Sequence, residues 1–216
     1  IFAKAPARLT AAGVSDILGK YIALADWKIA SILMDEYYCT AVADLETKAI
    51  RTVKDNLKEI AAGEKDACEK LMYALILSGL AMQMTGNSRP ASGAEHHMVH
   101  LWDMEVVNGH LDALHGEKVS AATMLVLLEY KKLADAIRRG ACRVHAFTDG
   151  DTELLQETFG RKGILGALEK ENTPELLDDV STETLSGALP EILKIIDLLP
   201  AVTDMQEMMS IVGCVS

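Results

Sequence analysis

The sequence predicts an all-α fold, a helical bundle, on three observations. Ala, Leu, Glu, Lys and Met dominate the composition and aromatic residues make up 5% of it, a balance that favours helix over strand. Only five prolines interrupt 216 residues. Apolar residues recur at three- and four-residue spacing, and no alternating run is long enough for a strand.

The elements follow in order. "GVSDILGKYIALADWKIASIL" predicts a helix that starts at Ser15 or Asp16, where either side chain would cap free amides, and runs to about Met34. Residues 41–62 predict a second helix, stopped by Gly63. Residues 65–84 predict a third, apolar nearly all round and therefore central. "TGNSRPASG" is a loop punctuated by Gly86 and Pro90. Residues 92–107 and 117–139 predict the next two helices. Shorter ones are expected at 151–158, 161–170, 181–198 and 203–212, with Thr173 before Pro174 as a helix start. No repeat or low-complexity segment divides the chain, so residues 1–216 are expected to form a single α-helical domain. The chain opens on Ile1 and stops at Ser216 just past a helix, which reads as a piece of a longer protein.

Composition narrows the function. A formal net charge of -11 argues against nucleic acid or an anionic membrane surface as partner. The longest apolar run, Leu71 to Met84, is broken by Ser78 and Gly79 and is too short for a bilayer. Cys39, Cys68, Cys142 and Cys214 lie far apart, with no disulfide or zinc-knuckle spacing, which suits a reducing cytoplasm.

The chemistry gathers in one segment. Five of the six histidines fall between His96 and His115. His96 and His100 are spaced i, i+4 and share one helix face, while His97 points elsewhere. Neutral imidazoles ligate zinc, nickel and iron, and a catalytic metal commonly takes three protein ligands. Two histidines plus a carboxylate would satisfy that. Spacing alone leaves the carboxylate open among Glu95, Asp103, Glu105, Asp112, Glu117 and the distant Asp16. Against this stands the plainer possibility that the histidines cap, pair with acids or are solvated. That is the expectation for His110 and His145. No His-Glu-x-x-His motif, ferritin-like pair of Glu-x-x-His motifs, P-loop or Gly-x-Gly-x-x-Gly occurs. An unrelated helical metallohydrolase would usually carry a His-Asp dipeptide, which is absent.

"AAGVSDILGKYIALADW", "SGLAMQMTGNSRPASGAEHHMVHLWDM" and "LHGEKVSAAT" occur in that order. Together they resemble the sn-glycerol-1-phosphate dehydrogenase family, within the wider group of glycerol dehydrogenases and iron-containing alcohol dehydrogenases, over roughly Pro6 to Leu128. The resemblance implies a dehydroquinate synthase-like two-domain fold, of which this chain is the C-terminal helical, metal-binding domain without the N-terminal nucleotide-binding domain. It implies a metal held by Asp16, His96 and His115, with Zn2+, Ni2+ or Fe2+ as the ion. It implies His100 and Lys20 as catalytic groups, and Arg89 together with Asp16 as substrate contacts. NAD(P) would be bound mainly by the missing domain, so no cofactor-binding residue is expected here. The substrate would be a phosphorylated polyol, interconverted as dihydroxyacetone phosphate and sn-glycerol 1-phosphate, for lipid biosynthesis. The isolated chain is expected to be inactive, and its apolar faces are expected to favour a homodimer. The alternatives are a glycerol or other polyol dehydrogenase of the same superfamily, and a non-catalytic metal-binding remnant.

Overall fold

The computed structural model describes residues 2–105, 109–145, 152–160, 163–166, 170 and 180–214. These contain helices and no strand. After a short 3-10 turn at Phe2–Lys4, the helices are α1 (Ala7–Leu33), α2 (Thr40–Lys54), α3 (Leu57–Ala61), α4 (Lys65–Thr85) and α5 (Ala94–Asp103). They are followed by α6 (His115–Arg138), α7 (Thr152–Phe159), α8 (Thr182–Asp197) and α9 (Val202–Ile211).

α1 is the axis of the bundle, packing against α2, α4, α5, α6 and α8. It begins a full two turns earlier than the sequence suggests. Pro6, with φ -52, precedes Ala7, and the alanine-rich stretch that follows contains no proline, so the helix runs on through Gly13 and Gly19. Ser15 and Asp16 therefore lie inside the helix and cap nothing. Ser15 is buried, and Asp16 projects sideways from a rigid element. Val14, Ile17, Leu18 and Ile22 form the centre of the main core with Ile50, Leu71, Leu127, Ile196, Met205 and Met209. At about 25 cal/mol per Å² of apolar surface buried, clusters of this kind supply most of the stability of a bundle.

The helix expected over 41–62 is broken into α2 and α3. Asn56 sits at the break with φ -127, and its amide donates to the Thr52 carbonyl at 2.8 Å. Such a side chain competes with the helical ladder. α4 is also less central than its composition suggests. Its buried face places Leu71 in the main core and otherwise carries small residues, among them Ala67, Ala74, Ser78 and Ala81, mainly toward α2. Tyr73, Ile76, Leu80 and Met84 stand exposed on the other flank.

α5 is shorter than the expected 92–107, ending at Asp103. α6 begins at His115, two residues before the expected start. Residues 107, 161–162, 167–169 and 171–179, including the Thr173–Pro174 start, lie outside the described residues. α7, α8 and α9 fall within a residue of the expected positions. Among the described residues no helix is long and apolar enough to cross a membrane, and the four cysteines are free.

Candidate metal centre

Three helices bring the site together: Asp16 from the middle of α1, His96 from the first turn of α5, and His115 from the first residue of α6. One ligand atom from each lies within 4.8 Å of the others. His96 Nε2 is 3.4 Å from Asp16 Oδ1, and the rings of His96 and His115 are 5.3 Å apart.

The approach of these helices is set by glycines. A Cβ on Gly116 would lie 2.0 Å from the Ala12 carbonyl oxygen, so α6 meets α1 backbone to backbone beside His115. A Cβ on Gly93 would lie 2.8 Å from Ala23 Cα, which lets the start of α5 reach α1. That start is held by a carboxylate of α1: Asp26 accepts the Ala94 N–H at 2.6 Å and the Tyr130 hydroxyl. The start of α6 is held by Glu117, which accepts the Leu114 N–H at 2.8 Å and the Arg8 guanidinium.

Each candidate ligand is oriented by a second group. His96 Nδ1 lies 2.7 Å from Glu95 Oε1, which also accepts the Gly93 N–H at 3.1 Å. His115 Nδ1 lies 3.2 Å from Asp103, whose other oxygen accepts Lys118 Nζ at 2.6 Å. Both rings are thereby tied through Nδ1, and Nε2 of His96 faces Asp16 Oδ1. A carboxylate behind an imidazole in this way fixes the ring and raises its basicity. Lys20, one turn after Asp16 and buried, donates to Asp16 Oδ2 at 3.0 Å. Burial by itself would raise the Asp16 carboxyl and lower the His96 imidazole. Their hydrogen bond, with Lys20 beside one and Glu95 beside the other, reverses both. Asp16 is held well below the usual carboxylate range and His96 is raised to about 9. A donor set of one carboxylate and two imidazoles around a shared point suits a borderline divalent cation.

The remaining acids that spacing left open have other partners. Glu95 and Asp103 hold the histidines, Glu105 pairs with the exposed His110 at 3.0 Å, Glu117 takes Arg8, and Asp112 contributes its backbone carbonyl to Arg8. His100 is exposed, with its ring 6.4 Å from that of His96, so it flanks the cluster. His145 is exposed and stands apart. Arg89 forms a two-point pair with Glu36, at 2.8 Å and 2.7 Å. Sequence reasoning did not find Glu95 and Asp103 as orienting groups. The signal was present in the adjacency of Glu95 to His96, which places the carboxyl beside the ring.

No family model matches the chain. Curated relatives do. The chain is 44% identical over 132 residues to a glycerol-1-phosphate dehydrogenase [NAD(P)+] of Halalkalibacterium halodurans, covering 61% of this chain and 33% of the relative. It is 31% identical over 214 residues to one of Geobacillus stearothermophilus, covering 99% of this chain and 46% of the relative. It is 36% identical over 160 residues to one of Pyrococcus horikoshii, covering 72% and 45%. The chain thus spans between a third and a half of the length of these relatives, and the matched regions are their C-terminal parts. Similarity that runs through nearly the whole chain, on an all-helical structure, places it in the glycerol-1-phosphate dehydrogenase family as a counterpart of the C-terminal region.

Proposed function

We propose that the protein is the metal-binding domain of an NAD(P)-dependent glycerol-1-phosphate dehydrogenase that interconverts dihydroxyacetone phosphate and sn-glycerol 1-phosphate. The single observation that carries this is the meeting of Asp16, His96 and His115 within 4.8 Å in a chain whose relatives bear that name. Zn2+, Ni2+ or Fe2+ fits the donor set. A divalent cation supplies Lewis acidity toward a hydroxyl or ketone oxygen, and the nicotinamide supplies the redox step.

The residues of this chain have distinct tasks in the reading. Asp16 Oδ1 and the two Nε2 atoms hold the ion, and the Asp16 edge borders the substrate. Lys20 acts by fixing Asp16 through its second oxygen, which makes it a positioning residue. Glu95 and Asp103 keep the imidazoles facing inward. His100, exposed beside the cluster, passes a proton between the substrate hydroxyl and water. Arg89 binds the phosphate only by exchanging Glu36 for it. The nucleotide is held by an N-terminal domain, for which the extra length of the relatives leaves room. The free cysteines fit a cytoplasmic setting.

Elemental analysis tests the centre. About one metal ion per chain is expected, lost in Asp16→Ala, His96→Ala and His115→Ala and retained in Arg89→Ala. Metal retained by all three ligand variants would refute the centre. The chain alone is expected to give no NAD(P)-dependent turnover of glycerol 1-phosphate, and turnover would refute the division of labour between domains.

A further inference from the structure

Away from Asp16, the second half of α1, the outer face of α2 and the end of α8 enclose a groove of about 560 Å³. That is the size of a small-molecule site. Its walls are largely apolar, with Leu24, Ile50 and Leu199 among them, and Leu198 stands on the rim 82% exposed.

The groove is also cationic. Lys28, Arg51 and Lys54 line it against one acid, Asp55. None of the three cations forms an ion pair among the described residues; Lys28 lies over the Tyr38 ring, 4.4 Å from its centre. Beside them Lys48 and Lys70, with the acid Asp44, border a second concavity that shares Arg51 and Asp55. In a chain of net charge -11 this is a local reversal of sign. A focused positive potential over an apolar wall selects a ligand that is negative at one end and apolar at the other.

We infer that this groove binds a single-chain anionic amphiphile, its phosphate or carboxylate head between Lys28, Arg51 and Lys54 and its tail along Leu24, Ile50 and Leu198. The inference is independent of the metal centre. It rests on charge complementarity and on the apolar wall, which together are met by neither free phosphate nor a neutral chain.

Titration calorimetry with dodecyl phosphate, below its critical micelle concentration, is the test. Inorganic phosphate serves as the head-only arm, and dodecyltrimethylammonium as the arm with the same tail and a head of opposite charge. Saturable binding of one dodecyl phosphate per chain is expected, with inorganic phosphate weak and the cationic surfactant weaker still. The double variant Arg51→Glu/Lys54→Glu should weaken it about tenfold or more. Leu198→Ser, at an exposed site, should weaken it while leaving inorganic phosphate unaffected. Lys132→Glu, at an exposed position of α6 outside the groove lining, should change nothing. Circular dichroism confirms that each variant keeps its helices. Absence of saturable binding, equal binding of the cationic surfactant, or indifference to both the charge reversal and Leu198→Ser would overturn the inference.

Discussion

In the proposed metal centre Glu95 and Asp103 would decide how well a cation is held, although neither is placed to touch it. Each ties one Nδ1, at 2.7 Å and 3.2 Å, and so aims one Nε2. Removing such an outer partner costs about 10–100-fold in metal affinity. Glu95→Gln and Asp103→Asn are therefore expected to weaken zinc binding by about that factor, measured by chelator competition. Glu95→Gln should have the larger effect, because Glu95 is fully buried and Asp103 is partly solvated. Glu46 behaves differently. It is fully buried, neither of its oxygens has a partner in hydrogen-bond geometry, and burial pushes its carboxyl up despite Lys20 and the Ser78 side chain nearby. An acid whose folded pKa is raised binds protons more tightly in the native state, so its contribution to stability falls as pH rises above the unfolded value. Glu46→Gln is expected to stabilise the protein at pH 7 and to have little effect at pH 4, read from urea midpoints at the two pH values. A loss of stability at pH 7 would show that the attraction to Lys20 outweighs the cost of burial. The clustering of five histidines between positions 96 and 115 pointed to His96 and His115, which lie near each other in the chain. Asp16 lies 80 residues before His96 and came only from family resemblance, since spacing carries no information about which distant helix packs alongside.

At the scale of elements, the centre depends on how closely α6 approaches α1. Gly116 lies against the Ala12 carbonyl with no room for a side chain, and a backbone oxygen cannot rotate away. Gly116→Ala is expected to cost about 3 kcal/mol by overpacking and to displace the adjacent His115. Both effects are measurable, one by thermal unfolding and the other as lost metal uptake. Metal uptake at wild-type affinity would mean that the first turn of α6 shifts without carrying His115 away. The same scale shows what the sequence disclosed of the fold. The positions of α6, α8 and α9 followed from apolar periodicity within about two residues, as expected for boundaries read from pattern. The start of α1 did not, because a capping residue was inferred at Ser15 where the upstream alanines continue the helix. The break between α2 and α3 was missed because Asn56 disrupts the ladder through its side chain rather than through a glycine or proline. α4 misled through composition. Its apolar residues all round suggested burial, yet apart from Leu71 small residues make most of the contact, and Tyr73, Ile76, Leu80 and Met84 remain outside.

For the whole molecule, the three candidate ligands lie on three different helices, so an ion at their meeting point would act as a crosslink between α1, α5 and α6. Cations that bind the native state alone stabilise it by mass action, about 2.7 kcal/mol at 100 times the dissociation constant. In a chain of this size each kcal/mol moves the melting temperature by roughly 2–4 °C. Saturating zinc is therefore expected to raise the midpoint by about 5–10 °C, and a chelator to reverse the rise. His115→Ala should melt near the metal-free wild type, because His115 is exposed and contributes little to the core, and it should show no zinc-dependent shift. This pairing separates the centre from incidental zinc on surface carboxylates, which a chain of net charge -11 would also attract. Incidental binding would raise the midpoint of wild type and His115→Ala alike. A shift confined to the wild type requires the native packing of all three helices, and only a site built across them can produce it.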